Sequence, residues 1–293
     1  REVAGALNGF PRCVSGSQPI DNGYYIFDAE QRAGLLAEEP AAMPFLRPYV
    51  GSREHINGLE RWILALQNAT PADLKAMPQV VARMRAVKAF RQGRQRKGTL
   101  AIAPYPQRYN VEVIPTGPFL VVPESSSERR EYVPLAWAEP PIIPSNLVRI
   151  IPEASRPLFG LLTSAMHMAW LRHIGGRIKS DYRYSIGLVY NTFPTPPAGA
   201  DLTKLAPFAD AVLAARAANP GASLADLYDP DLMPTDLRRA HMALDRVVDR
   251  LYAPKGFASD RARAEHLLGL YEQMAAPLMA APKPARRRRV SEA

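Results

Sequence analysis

The sequence predicts a mixed α/β (α+β) unit with short strands over residues 1–200. A small all-α helical bundle follows over 201–275, and a disordered basic tail closes the chain at 276–293. Three observations carry this reading. The 29 prolines, about twice the usual share, favour loops and short strands over long ones. The proline-rich exit Asn191-Thr192-Phe193-Pro194-Thr195-Pro196-Pro197 is the best boundary in the chain. Beyond it, residues 202–218, 234–251 and 260–274 repeat Ala, Leu and Arg at helical spacing, as amphipathic helices do.

In chain order, residues 1–70 read as loops and short helices. Asp21-Asn22-Gly23 is a turn signal, 28–38 is a run of good helix formers, and Pro40 and Pro44 end it. Val80, Val81, Met84, Val87 and Phe90 then recur at near-helical spacing, with Gly93 as the C-cap. Short β-branched and aromatic runs at 109–114, 119–122 and 132–136 are each bounded by proline and predict irregular strands. Residues 159–174 are apolar and predict a buried helix; 182–190 predicts a strand. In the helical region Pro220-Gly221 separates the first two helices, and Thr235 or Asp236 is the expected N-cap. From residue 276 the chain is Ala, Pro and Arg, too polar to pack.

Apolar residues make up 47% of the chain, enough to build a core, and the formal net charge is +9. The basic excess lies in residues 1–200 and in the tail, whereas 201–275 is slightly acidic. Such a balance points to a polyanionic partner, nucleic acid or an anionic membrane surface. One cysteine, Cys13, excludes an internal disulfide framework and a Cys-cluster metal site, and fits a reducing cytoplasm. The longest uncharged stretch, 157–171, is shorter than a membrane span. No apolar signal core occupies the first thirty residues, so secretion is not expected. The opening on Arg1, without a helix start signal, is what a piece of a longer chain would show.

Between Leu74 and Val111 there is no acidic residue, while Lys75, Arg83, Arg85, Lys88, Arg91, Arg94, Arg96, Lys97 and Arg108 all fall there. A helix that buries its apolar stripe would hold these heads in solvent. Arg83, Lys88, Arg91 and Arg94 are therefore candidate phosphate contacts; the alternative is an ordinary solvated face, which usually mixes both signs.

Catalytic patterns are missing. Gly175-Gly176 is a single pair and not a phosphate cradle, and no His-Glu-x-x-His helix occurs. His167 and His173 are six apart, on different helix faces, so His167 reads as a core histidine and metal ligation is not expected. His241 and His266 read as surface or packing residues. Ser125-Ser126-Ser127 and Ser164 lie in no nucleophile elbow, and Glu38-Glu39 sit at a solvated helix end.

The densest polar constellation is the segment from Arg172 to Ser185, which turns on two glycines into an aromatic run. If it is extended, Arg177, Lys179 and Asp181 share one face. Lys179 can donate to guanine O6 and N7 while Asp181 accepts from cytosine N4, together reading a G·C pair. Arg172, Arg177 and Arg183 are then placed to hold phosphates or to read a further guanine, with Ser180 as a further phosphate contact. The competing possibility is a local Lys179–Asp181 salt bridge on a solvent face, worth little. Ser125-Ser126-Ser127-Glu128-Arg129-Arg130-Glu131-Tyr132 is a second candidate, where Arg129 and Arg130 suit phosphate contacts, against an exposed capping loop. Asn146, beside Pro144-Ser145, can read adenine, although such a residue usually only makes a turn.

Several ordered strings resemble one family. They include Pro48-Tyr49-Val50-Gly51-Ser52-Arg53-Glu54-His55-Ile56-Asn57-Gly58 with Arg61-Trp62, Ser126-Ser127-Glu128-Arg129-Arg130, and Met166-His167-Met168-Ala169-Trp170. Gly176-Arg177 with Ser180-Asp181-Tyr182-Arg183-Tyr184-Ser185, and Val189-Tyr190-Asn191-Thr192-Phe193-Pro194, continue the order. Ser223-Leu224-Ala225-Asp226-Leu227-Tyr228-Asp229-Pro230, Met233-Pro234 and Ala240-His241 complete it. Over roughly residues 10–275 the chain resembles the target-recognition and C-terminal regions of the MmeI-like class I DNA methyltransferases of restriction–modification and phage defence.

The resemblance implies a double-stranded DNA recognition module working with an N-terminal methyltransferase domain that uses S-adenosylmethionine and forms N6-methyladenine. It also implies that the loop around Lys179, Asp181 and Arg183 is where the family varies its base reading, and that Arg129 and Arg130 have a positioning role. The family's adenosylmethionine-binding motif and its Asn-Pro-Pro-Tyr motif are absent here; Ala103-Pro104-Tyr105-Pro106 is not the latter, and Thr195 stands where the family often has Trp. On this reading the fragment binds no cofactor and is inactive alone, without a membrane partner, in the cytoplasm. The rival expectation is a protein-interaction scaffold with an incidental basic surface; a complete enzyme would need a donor site.

Overall fold

The computed structural model describes residues 5–280. Its strands are short, as the proline spacing requires, and fall into three small sheets beside paired helices.

The first sheet runs in the order Val14–Ser15, Arg149–Pro152, Phe119–Val122, Ala136–Ala138, all antiparallel. Phe119–Val122 is buried on both faces. Its period-two alternation sends Leu120 and Val122 into the large core, and Phe119 and Val121 into a small one with Val148 and Ile150.

The second sheet orders Ile26–Phe27, Trp62–Leu64, Leu46–Val50 and Ile143–Pro144, with the last pair parallel. It packs with the helix Pro78–Gln92 around Tyr25, Phe27, Ile63, Val80, Val87 and Tyr109. Gly16 lies beside this sheet, where a Cβ would meet the Ser145 carbonyl oxygen at 2.3 Å, so no side chain fits. The third sheet joins Gly176–Ile178, Asp181–Arg183 and Ser125–Ser126.

Several elements differ from expectation for local reasons. The helix expected at 28–38 is Ala29–Glu38, with Asp28 and Gln31 forming a capping box. The apolar stretch 159–174 is two helices, Arg156–Leu162 and Ala165–Ile174. Ser164 separates them by accepting the His167 N–H as an N-cap. The strand expected at 182–190 stops at Arg183, because the Ser185 side chain accepts from Leu188 N and starts a π-turn, Ile186–Tyr190. Residues 109–114 form only one bridge, Gln18 to Val111. Residue 235 opens its helix, with Pro234 and neither Thr235 nor Asp236 at the N-cap.

The C-terminal helices, Ala206–Ala217, Leu224–Leu227, Thr235–Tyr252 and Asp260–Ala280, do not build a core of their own. Leu205, Ala209, Leu244, Val248 and Leu267 join Leu120, Phe159 and Trp170 in one cluster. A Cβ on Gly160 would lie 3.3 Å from Leu244 Cδ1, so Gly160 allows two helices to approach closely. The tail expected to be disordered from 276 is helical through Ala280, carried by its Ala-rich sequence. Residues 281–293 of that tail lie outside the described residues.

Candidate nucleic-acid interface

The two polar segments singled out in the sequence come together in the third sheet. Gly176–Ile178 and Asp181–Arg183 form an antiparallel hairpin in register Gly176 to Arg183, Arg177 to Tyr182 and Ile178 to Asp181. Ser125 and Ser126 add the third strand, opposite Arg183 and Tyr182. The two-residue turn is Lys179-Ser180, and both residues are exposed. Lys179 has φ +58°, a left-handed conformation that costs a non-glycine residue about 1–2 kcal/mol. Ile20, Asn22 and Glu153 are the other non-glycine residues with positive φ among the described residues.

The turn corrects the expected alignment of side chains. Because the chain reverses at Lys179, Arg177 does not share a face with Asp181. Ile178, Asp181 and Arg183 stand on one face; Arg177 and Tyr182 stand on the other, with the guanidinium 4.0 Å over the ring. Arg177 Nη1 also donates to Ser180 O across the turn at 2.7 Å. Among the described residues Lys179 and Asp181 form no salt bridge, and the Lys179 and Arg183 side chains make no hydrogen bond or ion pair, although the Arg183 backbone lies in the sheet.

Ser127–Arg130 is a turn closed by Arg130 N donating to Ser127 O. It packs on the hairpin: Glu128 N donates to Asp181 Oδ1 at 3.4 Å, and Glu128 lies 3.6 Å from Arg177. Arg129 is exposed and paired with Asp229 and Asp231. Arg130 is half-buried, and desolvation lowers its pKa while Asp181 and Asp229 oppose that shift.

The basic helix Pro78–Gln92 sorts its charges by face. Lys88 is exposed, and so is Arg94 just past the helix, its guanidinium 4.1 Å over the Phe90 ring. Arg83 is half-buried, donates to Tyr24 O at 3.0 Å and lies over Phe27. Arg91 is a correction: it is 0% exposed and cannot reach a phosphate. Its five N–H donors meet five backbone carbonyls, those of Pro19, Ile20, Ile102, Tyr105 and Arg108, at 2.8–3.2 Å. The sequence contained the signal, since Arg91 follows Val87 by one helical turn on the apolar stripe.

Arg172 is also committed within the chain. It pairs with Asp260 and ties Ala165–Ile174 to the last helix. Asn146 lies apart from the hairpin, in the turn Ser145–Val148 that follows the second sheet. It lines a cavity of about 240 Å³ with Gln18, Asp21, Tyr49 and Arg61. A second cavity of about 400 Å³ opens beside the hairpin between Glu124, Arg149, Arg183 and Ser185. Arg149, ion-paired to Glu124 at 2.7 Å, was not legible as a site residue because it stands alone in an apolar strand.

His167 and His241 are packing residues. His167 is fully buried, its Nε2 is 2.8 Å from the Tyr184 hydroxyl, and burial lowers its pKa to about 3. His241 is buried as well, stacked 4.0 Å from Tyr132 with Nε2 2.7 Å from the Tyr228 hydroxyl. Among the described residues no group of His, Cys, Asp and Glu could hold a metal ion, and no helix is long and apolar enough to cross a membrane. A Cβ on Gly175 would meet the Leu171 carbonyl oxygen at 2.5 Å, so the glycine allows the chain to leave the helix in close contact with it.

A braced polar hairpin with uncommitted donors, carried on a helical scaffold, is the build of a recognition module. The chain belongs to the MmeI family, carrying that family's target recognition domain over residues 2–197 and its C-terminal domain over 199–279. It is 36% identical over 268 residues to DNA methyltransferase A of Bacillus subtilis (strain 168), spanning 92% of this chain and 30% of that protein. The fold also matches a solved structure of the type IIL restriction-modification enzyme MmeI in complex with DNA. That match has a TM-score of 0.85 at 37% identity, covering 94% of this chain and 37% of the other. The chain thus spans about a third of the length of these relatives.

Proposed function

We propose that this chain is the sequence-reading module of an adenine-N6 DNA methyltransferase and presents the hairpin Gly176–Arg183 to the major groove of duplex DNA. The observation that carries the reading is the union of two polar segments in one sheet, with Lys179 held in a left-handed turn at its tip. Lys179 donates to guanine and Asp181 accepts from cytosine N4, each contact supplying about 1–3 kcal/mol of discrimination. Arg183 reads from the Asp181 face, and Asn146 contributes from the turn beside the second sheet. Arg129, Arg130, Arg177 and Ser180 hold phosphates around the hairpin, while Lys88, Arg94 and the half-buried Arg83 grip the backbone further away.

The relatives named above support this reading through their methyltransferase and DNA-bound descriptions. A methyltransferase domain of the same protein is the expected partner, S-adenosylmethionine the methyl donor, and the cytoplasm the place of action.

Selection on a randomised duplex library at moderate salt tests the proposal. The expected result is an enriched motif containing a fixed G·C pair, with Lys179→Ala relaxing preference at that pair only. Equal loss on all sequences would make Lys179 a phosphate contact, and absence of DNA binding would overturn the reading.

A further inference from the structure

The hairpin carries an apolar side chain that its folding does not bury. Strands alternate faces, and in Asp181–Arg183 the inward residue is Tyr182, 6% exposed. On the facing strand the register sets Arg177 opposite Tyr182 and Ile178 opposite Asp181. Arg177 holds that register, stacking over the Tyr182 ring and donating to Ser180 O across the turn. Ile178 is left on the outer face with Asp181 and Arg183, 50% exposed. A slip of one residue would reverse the two. Ile178 and Ile186 are the aliphatic side chains in the lining of the cavity of about 400 Å³ beside the hairpin, whose other side chains are polar or aromatic. Single exposed apolar residues are ordinary on protein surfaces. Ile178 differs in standing directly beside Asp181, on the face that carries the polar readers.

We propose that Ile178 is a specificity-determining residue that packs on the C5-methyl group of a thymine, and so reads an A·T pair next to the G·C pair taken by Lys179 and Asp181. This rests on the base reading by the hairpin proposed above. Among the four bases only thymine presents a methyl group in the major groove, and an apolar contact is what identifies it. Directly opposed side chains of an antiparallel pair have Cβ atoms about 4.5–5.5 Å apart, while successive base pairs are about 3.4 Å apart. With Asp181 on one pair, Ile178 therefore reaches its neighbour. A cytosine or purine edge at that place would lose water against the isoleucine and gain no partner.

The library selection on the whole chain supplies the motif, which is expected to hold a thymine beside the fixed G·C pair. Affinity is then measured on that duplex and on the same duplex with uracil in place of that thymine, a change that removes only the methyl group. Wild type is expected to bind the uracil duplex about fourfold more weakly, the worth of one buried methyl group. Ile178→Ala should bind both duplexes alike, near the wild-type affinity for uracil. It should also keep its preference for the G·C pair, which reports an intact hairpin. Ile178→Val, still branched at Cβ, should keep the preference for thymine.

Equal wild-type affinity for the two duplexes, or a motif without thymine beside the G·C pair, overturns the inference and leaves the reading of the G·C pair standing. A thymine preference that survives in Ile178→Ala overturns it as well. Loss of both preferences in Ile178→Ala makes the residue a support for the hairpin and overturns it too. A wild-type protein that binds without enriching any motif overturns the base reading itself, and this inference with it.

Discussion

Arg91 illustrates how a single side chain changes meaning between sequence and structure. It reads as one more cation in a basic run, yet all five of its donors are satisfied by carbonyls. Arg91→Met should cost about 3–5 kcal/mol, because several buried carbonyls lose their only cationic partner. Urea unfolding measures this, and the salt dependence of DNA binding should remain unchanged.

Buried histidines set the acid response at the same scale. Burial lowers His55 to about 4 and His167 to about 3, both from an ordinary 6.5. A depressed histidine pKa means the unfolded chain binds the proton first, so stability is complete above pH 6.5 and falls as pH drops towards 4. Asp245, raised by burial to about 6, opposes this, because the folded chain holds its proton between about pH 6 and 4. Two histidines outweigh one carboxyl, so melting temperature should fall on acidification from pH 6.5 to 4.5. Each uncompensated proton contributes about 1.4 kcal/mol per pH unit. Asp245→Asn should steepen the fall, and a shallower profile would refute the assignment.

Among the elements, the proposed function gives the basic helix and the hairpin two different tasks. Lys88 and Arg94 are exposed and outside the hairpin sheet, and the proposal assigns them a sequence-independent grip. Lys88→Ala and Arg94→Ala should each weaken binding equally on all sequences and reduce the slope of log K against log salt by about one. A slope equal to that of the wild type would remove the helix from the interface. The helix was legible from its apolar spacing and its Gly93 C-cap. The hairpin was not, because no Asn-Gly or Gly-X pair marks its turn; Lys179 takes the left-handed conformation there instead. The split of 159–174 had its signal in Ser164, a cap hidden inside an apolar run.

The whole molecule unfolds as one unit if its core is one. Leu244 of the C-terminal region and Phe159 and Trp170 of the recognition region belong to a single buried cluster. Arg216 reinforces the junction by donating to Leu135 O at 2.6 Å, and Tyr132 donates to Asp245 at 2.7 Å. Leu244→Ala should therefore cost about 2–5 kcal/mol. Tryptophan fluorescence and far-UV circular dichroism should report the same midpoint. Two separated transitions would show that the C-terminal helices fold independently.

By itself the sequence determined the fold class and the change of character after Pro197, and it pointed to a polyanionic partner and to the hairpin segment as the place to look. Those follow from composition, periodicity and turn chemistry, all of which are local. Only the tertiary structure decided that Arg91 is buried, that Arg172 is tied to Asp260, that Ser125-Ser126 completes the hairpin sheet, and that Asp229 stands beside Arg129. Each of these depends on which distant segments meet, and a guanidinium's role is set by the acceptor it meets.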